Sequence, residues 1–271
     1  MFHYTHMSNR SWSSQALVLS LTSFGEGNRE ALLLTPERGL VRAAVFGGAK
    51  SRLRSLVSPY QTGTVWLYTD PVKKSSKITD FDVQAWRPGI RENLVRTWCA
   101  ALCAEIVTRS HGVADWRLVN AFLDGIEVSG EDECRRGLLR FLWRLLTVAG
   151  IAPDTTCCAR CGAETRAARR GDAESGAQDG GENRENTILF YSPHEDACVC
   201  PECARSGERG FPLSEEALTF LAAVERLGPA DARRFQPGPG CYAELRAFLF
   251  FLVSRMVDGT LKTLETGDGI L

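Results

Sequence analysis

Long apolar runs are missing from this sequence. The longest candidate, Ala247 to Val253, stops at Ser254 and Arg255. A membrane span needs roughly 18–20 such residues, so an integral membrane protein is excluded. Met1 to Arg10 carries no apolar stretch of the signal-peptide kind, which leads us to expect a cytoplasmic protein. Met7 offers a second start, with Met1 to His6 as decoration. Net charge is nearly absent too: 32 Lys and Arg stand against 33 Asp and Glu, which by itself argues against a nucleic-acid binder. The common catalytic signatures are lacking as well, with no H-E-x-x-H, no G-x-S-x-G and no dinucleotide fingerprint. Gly47 to Ser51 faintly follows a phosphate loop, but Ala49 stands where the pattern needs glycine, so no ATPase is implied. What remains is 271 residues, 44% hydrophobic and 24% charged, an ordinary composition for a folded chain of about two domains.

The charge is unevenly spread. Residues 1–90 hold 11 Lys and Arg against 6 Asp and Glu, and the rest hold 21 against 27. A basic front and an acidic rear point to a polyanion partner for the front. That front reads as β-structure over 13–87, behind a tail at 1–12. Ala16 to Phe24, with Leu17, Leu19 and Leu21 on one face, Arg29 to Thr35, Leu40 to Phe46, Thr64 to Thr69 and Ile78 to Trp86 are five short strands. Turn residues such as Gly25-Glu26-Gly27-Asn28 separate them. No helices intervene regularly, which favours a partly open five-stranded barrel of the oligonucleotide-binding type. Lys50, Arg52 and Arg54 follow the third strand. Lys73, Lys74 and Lys77 lie between the fourth and fifth, and Arg42 lies on the sheet. Together these seven form the candidate DNA-binding set, since loop cations track phosphates while rings stack on bases. Phe46, Trp66 and Tyr68 are candidate stacking groups, with the barrel core as their other destination. Asp80 and Asp82 share a strand face that a metal-dependent nuclease could use.

Helices dominate from Pro88-Gly89 onward. Leu94, Val95, Trp98, Leu102 and Ile106 form a stripe at helical spacing. Trp116 to Val128 and Arg135 to Ala149 follow, and Gly150 and Pro153 end the run. The helical part is read as 88–156 and 205–271. In the latter, Ser214 caps a helix to Leu227, and Tyr242 to Val257 is so apolar that it should be buried on most sides. Gly162 to Thr187 has no Val, Ile, Leu, Met, aromatic or Cys. Such a stretch buries too little to offset its ordering entropy, and we expect a disordered insertion there.

Ten cysteines need a use. Cytoplasmic clusters are more often metal ligands than disulfides. Cys158-x-x-Cys161-Gly162 and Cys200-x-x-Cys203 mark a module over 157–204. Each pair can hand two thiolates to one tetrahedral ion. Four thiolates would close the site around one structural Zn²⁺. Gly162 permits a positive φ in such a turn. The wide spacing between pairs is tolerable because loop closure costs grow slowly with length. A dithiol redox pair or an iron–sulfur cluster are the other uses of such cysteines. Cys157, Cys198 and His194 are neighbouring alternatives as ligands.

The ordered set of short motifs resembles the RecO family of bacterial recombination mediators. It comprises Ala16-Leu17-Val18-Leu19 with Gly25-Glu26, Thr35 and Gly39, Gly48-Ala49-Lys50-Ser51-Arg52-Leu53 and Ser58-Pro59-Tyr60. Ala149 to Pro153 then leads into the cysteine pairs, and Thr260 to Leu264 closes the chain. The resemblance implies an α+β chain with an N-terminal oligonucleotide-binding barrel, then an all-α domain carrying a four-cysteine zinc site. It also implies a mediator and not an enzyme. Such a protein binds single- and double-stranded DNA, anneals complementary strands without nucleotide hydrolysis, and works in the nucleoid. Its implied partners are RecR and the C-terminal tail of single-stranded-DNA-binding protein, through which it helps load RecA. A zinc-module adaptor without annealing activity is the competing function. The sequence departs from the family at Pro193 to Ala197, where glycines are usual, and in the long insertion.

Overall fold

The computed structural model describes residues 10–25, 27–47, 51–165, 189–267 and 269–271. The tail through residue 9, Lys50 and the bulk of the expected insertion lie outside them. The chain divides into two compact units. One runs to Cys134 and takes in Leu261–Leu271, and the other is Arg135–Thr260.

The first unit opens with a closed barrel. Its strands are β1 (Ser11–Phe24), β2 (Asn28–Thr35), β3 (Gly39–Val45), β4 (Thr62–Asp70) and β5 (Ser75–Ala85), with α1 (Arg52–Leu56) between β3 and β4. The order around the barrel is β1-β2-β3-β5-β4, and β4 returns to β1 through pairs from Ser11↔Tyr68 to Leu17↔Thr62. β3 meets β5 in parallel at Ala44↔Lys77. This is the oligonucleotide-binding arrangement expected from the strand pattern. Ala16, Val18, Leu33, Val65, Leu67 and Phe81 fill its centre.

One detail of that expectation is corrected. Leu17 and Leu19 are buried, but on the face opposite Ala16 and Val18, where α2 (Leu94–Arg109) packs on β1. A bulge between Val18 and Ser20 then reverses the alternation, and Leu21 turns in against the barrel core. A one-residue shift moves every later side chain to the other face. Gly63 permits the other close approach: a Cβ there would sit 2.0 Å from the Asp82 carbonyl oxygen.

One contact ties the barrel to the helices that follow, and a second ties the C-terminal helix back to them. Arg87, in left-handed backbone (φ 47°), ends β5 and turns its guanidinium inward. It donates to Asp124 Oδ1 (2.7 Å) and Asn120 Oδ1 (3.0 Å) on α3 (Trp116–Val128). It also donates to the Tyr60 carbonyl (2.7 Å) and Thr62 Oγ1 (2.8 Å) of the barrel. Farther on, α8 (Lys262–Thr266) returns to α2. Glu105 accepts there from the Lys262 and Thr263 backbone N–H groups and from Thr263 Oγ1.

The helices expected from 88 onward are divided: α2, α3 and α8 belong to the first unit with the barrel, and the second unit holds the intervening helices with a small sheet set among them. α4 (Glu131–Val148) starts four residues earlier than its apolar spacing implied, because Glu131, Asp132 and Glu133 form an acidic first turn. α5 (Glu215–Arg226), α6 (Pro229–Ala232) and α7 (Pro239–Met256) complete the helices. Ser214 Oγ accepts from the Ala217 N–H, the cap foreseen for α5. The sheet, absent from the sequence reading, has the order β7-β6-β8 from β6 (Leu189–Ser192), β7 (Ala197–Val199) and β8 (Phe211–Leu213). Tyr191 and Phe211 pack its face on Phe248 and Phe251 of α7, with centroids 5.2 Å apart for Tyr191–Phe248 and 4.8 Å for Phe211–Phe251. Aromatic pairs in that range favour tilted and edge contacts.

Candidate nucleic-acid interface and metal centre

The outer face of the barrel carries a groove of about 710 Å³ to which all five strands contribute. Four of the seven expected cations line it: Arg42, Lys73, Lys74 and Lys77. The β4–β5 loop sets the lysines. Asp70 Oδ1 accepts from the Val72 and Lys73 backbone N–H groups at 2.9 and 3.1 Å, which ties the turn. The same two bonds, Lys73's first, hold the Asp70 carboxyl below the usual carboxylate range. Lys74 adopts left-handed backbone (φ 49°). Lys77 Nζ lies 5.1 Å over the Tyr68 ring. Arg42 is less free than its position on the sheet implied, because Glu30 Oε2 pairs with it at 3.1 Å.

Two of the remaining cations lie elsewhere. Arg52 and Arg54 are exposed on α1 and do not line the groove; Lys50 lies outside the described residues. Arg54 stands beside Arg29, whose Nη2 donates to the Arg54 carbonyl at 2.5 Å. Partial burial, and then the Arg54 charge, push the Arg29 guanidinium below its usual range. Arg29 escaped the sequence reading, since only the barrel register brings the start of β2 alongside α1. The described cations of the candidate set thus fall into two patches, one in the groove and one on α1.

The rings are also sorted by the fold. Val65 and Leu67 point into the barrel, leaving Trp66 40% exposed and Tyr68 half-buried outside it. Phe46 is 50% exposed and borders the groove. None of the three is core. Trp66 does not line the groove, although it points outward from β4 as Tyr68 does; it pairs in register with Asp80. Asp80 and Asp82 are exposed and belong to no metal-ligand group among the described residues.

In the second unit, Cys158, Cys161, Cys200 and Cys203 come together, every sulfur within 4.8 Å of the others. Two tight turns aim them. The Gly162 N–H donates to the Cys158 carbonyl (2.8 Å), with Gly162 at φ 74°, and the Cys203 N–H donates to the Cys200 carbonyl (3.0 Å). A tetrahedron with metal–sulfur bonds of about 2.3 Å has edges of about 3.8 Å. Cys161 Sγ and Cys200 Sγ stand 3.7 Å apart, so the four residues fit one ion. Burial pushes the Cys158 thiol up, but backbone N–H donors, led by that of Cys200 at 3.2 Å, outweigh it and bring it down to about 6. Burial raises Cys200. An ion held there would cross-link the two turns and have no open coordination position.

Cys157 and Cys198 stay out of the cluster. Cys157 Sγ turns to Asp154 (3.6 Å), and Cys198 is buried in β7 opposite Tyr191. The expected disorder is corrected at its first residues. Cys157 bridges Glu164, and the Thr165 N–H donates to the Thr156 carbonyl at 2.8 Å, so 162–165 belong to the folded turn.

Arg160, inside the first cysteine pair, was missed by the sequence reading. It donates to Glu195 (2.8 and 3.0 Å), to Glu208 (2.9 Å) and to the Cys203 carbonyl, locking the first turn onto the second. Glu195 and Glu208 in turn push its guanidinium further up. The departure at Pro193 to Ala197 now has a physical account. Asp196 takes the left-handed conformation (φ 55°) that glycine would adopt, and its carboxylate accepts from Tyr191 Oη and from Arg255 (2.9 Å).

Fold and site define a class: a barrel of oligonucleotide-binding topology followed by helices and a four-cysteine cluster able to hold a metal ion. The comparisons make this specific. A family model described as "Recombination protein O N terminal" matches residues 7–85, and one described as "Recombination protein O C terminal" matches 91–265. The chain belongs to the RecO family. It is similar to the "DNA repair protein RecO" of Heliobacterium modesticaldum, 26% identical over 94% of this chain and 88% of that protein. That of Desulforamulus reducens is 23% identical over 93% and 92%. That of Syntrophotalea carbinolica is 30% identical over 56% and 60%.

Proposed function

We propose that this chain is a recombination mediator of DNA repair. It binds single- and double-stranded DNA on the barrel, anneals complementary strands without nucleotide hydrolysis and needs no catalytic residue. The observation that carries this reading is the groove, where four cations outnumber two carboxylates, Glu30 and Asp70, beside exposed rings. Cations there, with Arg29, Arg52 and Arg54 at the α1 end, would neutralise phosphates of two strands and lower their repulsion as they pair. The four thiolates hold one structural Zn²⁺ that stiffens the second unit. Family membership supports RecR and the acidic C-terminal tail of single-stranded-DNA-binding protein as partners, help in loading RecA onto coated strands, and a place in the cytoplasm at the nucleoid. No helix among the described residues is long and apolar enough to cross a membrane.

An annealing assay on naked complementary oligonucleotides, with zinc content measured beforehand, tests the reading. Acceleration without nucleotide is the expected result. Protein that binds RecR yet leaves annealing at its spontaneous rate is an adaptor instead.

A further inference from the structure

Phe24 and Phe46 sit at one end of the groove, at the close of β1 and just after β3. Their rings meet edge to face with centroids 6.3 Å apart. They remain 41% and 50% exposed. The same groove carries Lys73, Lys74 and Lys77 from the β4–β5 loop. A phenyl pair open to water beside three lysines is poorly explained by barrel stability, since Val45 and Ala43 already fill the core from β3.

We infer that the Phe24–Phe46 pair is a stacking platform for an unpaired base, which makes this groove selective for single strands over duplex. The inference rests on the reading of the groove as a DNA site and deepens it. Cations meet the sugar–phosphate chain of either form alike. Ring faces reward only a base free to leave its stack, because duplex bases are already covered above and below. The edge-to-face contact holds each ring in place, so little side-chain freedom is lost when a base arrives. The consequence for annealing is directional. A strand waiting for its complement is held by charge and by rings, whereas the paired product keeps the charge contacts alone and leaves more readily. Trp66, more conspicuous in the sequence, does not line the groove and has no part in this.

The test uses the full chain with Phe24→Leu and Phe46→Leu together. These positions are exposed, so folding should persist, and leucine keeps apolar bulk without a π-face. Binding of a single-stranded oligonucleotide, its duplex and an abasic strand of equal length is measured by fluorescence anisotropy across salt. Single-strand affinity should fall about tenfold or more, duplex and abasic affinity should change less than twofold, and the salt slope should stay the same. Equal losses on all three ligands, or no loss on any, overturn the platform while leaving the groove as the DNA site. Wild-type protein that ignores every oligonucleotide at low salt overturns the function beneath it as well.

Discussion

At the four-cysteine cluster every sulfur comes from one of two four-residue turns, and the geometry closes around one point. At the barrel groove the lining comes from all five strands and stays open to solvent. The first arrangement is cooperative, since three sulfurs without the fourth leave an incomplete shell. The second is additive, since each cation acts on its own phosphate. Removing a piece should therefore break the rear of the molecule but only weaken the front.

The sharpest break is at the cysteines. Changing Cys158 and Cys161 to serine together should abolish stoichiometric zinc. Because metal affinity in such sites is largely folding free energy, the second unit should lose its own thermal transition, seen by calorimetry. A fully folded second unit in that variant, with no bound metal, would falsify the cooperative picture. Chelator treatment of wild-type protein should reproduce the effect.

Next in size is Arg87. Its side chain is 2% exposed and serves Tyr60, Thr62, Asn120 and Asp124 at once. Arg87→Met removes a buried charge and leaves Thr62 and its part-buried neighbours without their donor, a change worth about 3 kcal/mol. Urea unfolding should show that loss in the first unit alone. The zinc content should not move, which keeps the two regions distinguishable.

The same contrast explains what could be read from the residues. The cysteine spacing predicts outright which four cysteines come together, because a C-x-x-C turn is local. Five strands were legible because period-two patterning survives without neighbours, whereas their order around the barrel is set by pairing between distant segments. The bulge at Val18–Ser20 was not, since register is decided by the partner strand. Arg87 read as the end of a barrel because nothing local announces a guanidinium buried among four distant acceptors. Arg160 hid in plain view between two ligands, as its carboxylate partners Glu195 and Glu208 are 35 and 48 positions away. Which of the candidate cations share one surface was not legible, for the same reason. Residues adjacent in sequence, such as Arg52 and Arg54, went to α1, while Arg42 and Lys77, far apart in the chain, share the groove.

That division of the cations sets a third prediction. Lys73, Lys74 and Lys77 changed to alanine should lower DNA affinity and reduce the salt slope by about two to three, near 0.9 per lost phosphate contact. Arg52 and Arg54 changed together should reduce it by less, since they stand outside the groove. Titrations at several salt concentrations compare the two variants directly. A steeper loss from the α1 pair would move the site to that patch.

The smallest effect reverses sign. Glu30 holds Arg42 at 3.1 Å, with both side chains largely open to water, at 42% and 66% exposure. A surface pair of this kind contributes about 0–1 kcal/mol, so its loss hardly touches stability. For DNA the accounting differs, because Glu30 both occupies the guanidinium and repels phosphate within the same groove. Glu30→Gln keeps the shape and a hydrogen-bonding side chain, frees Arg42 and removes one negative charge. Affinity for single strands should rise by up to about fivefold at low salt, and the gain should shrink as salt screens the carboxylate. Arg42→Gln in the same background should cancel the gain. If Glu30→Gln binds no better than wild type, Arg42 was never restrained by its partner, and the groove acts through the lysine loop alone.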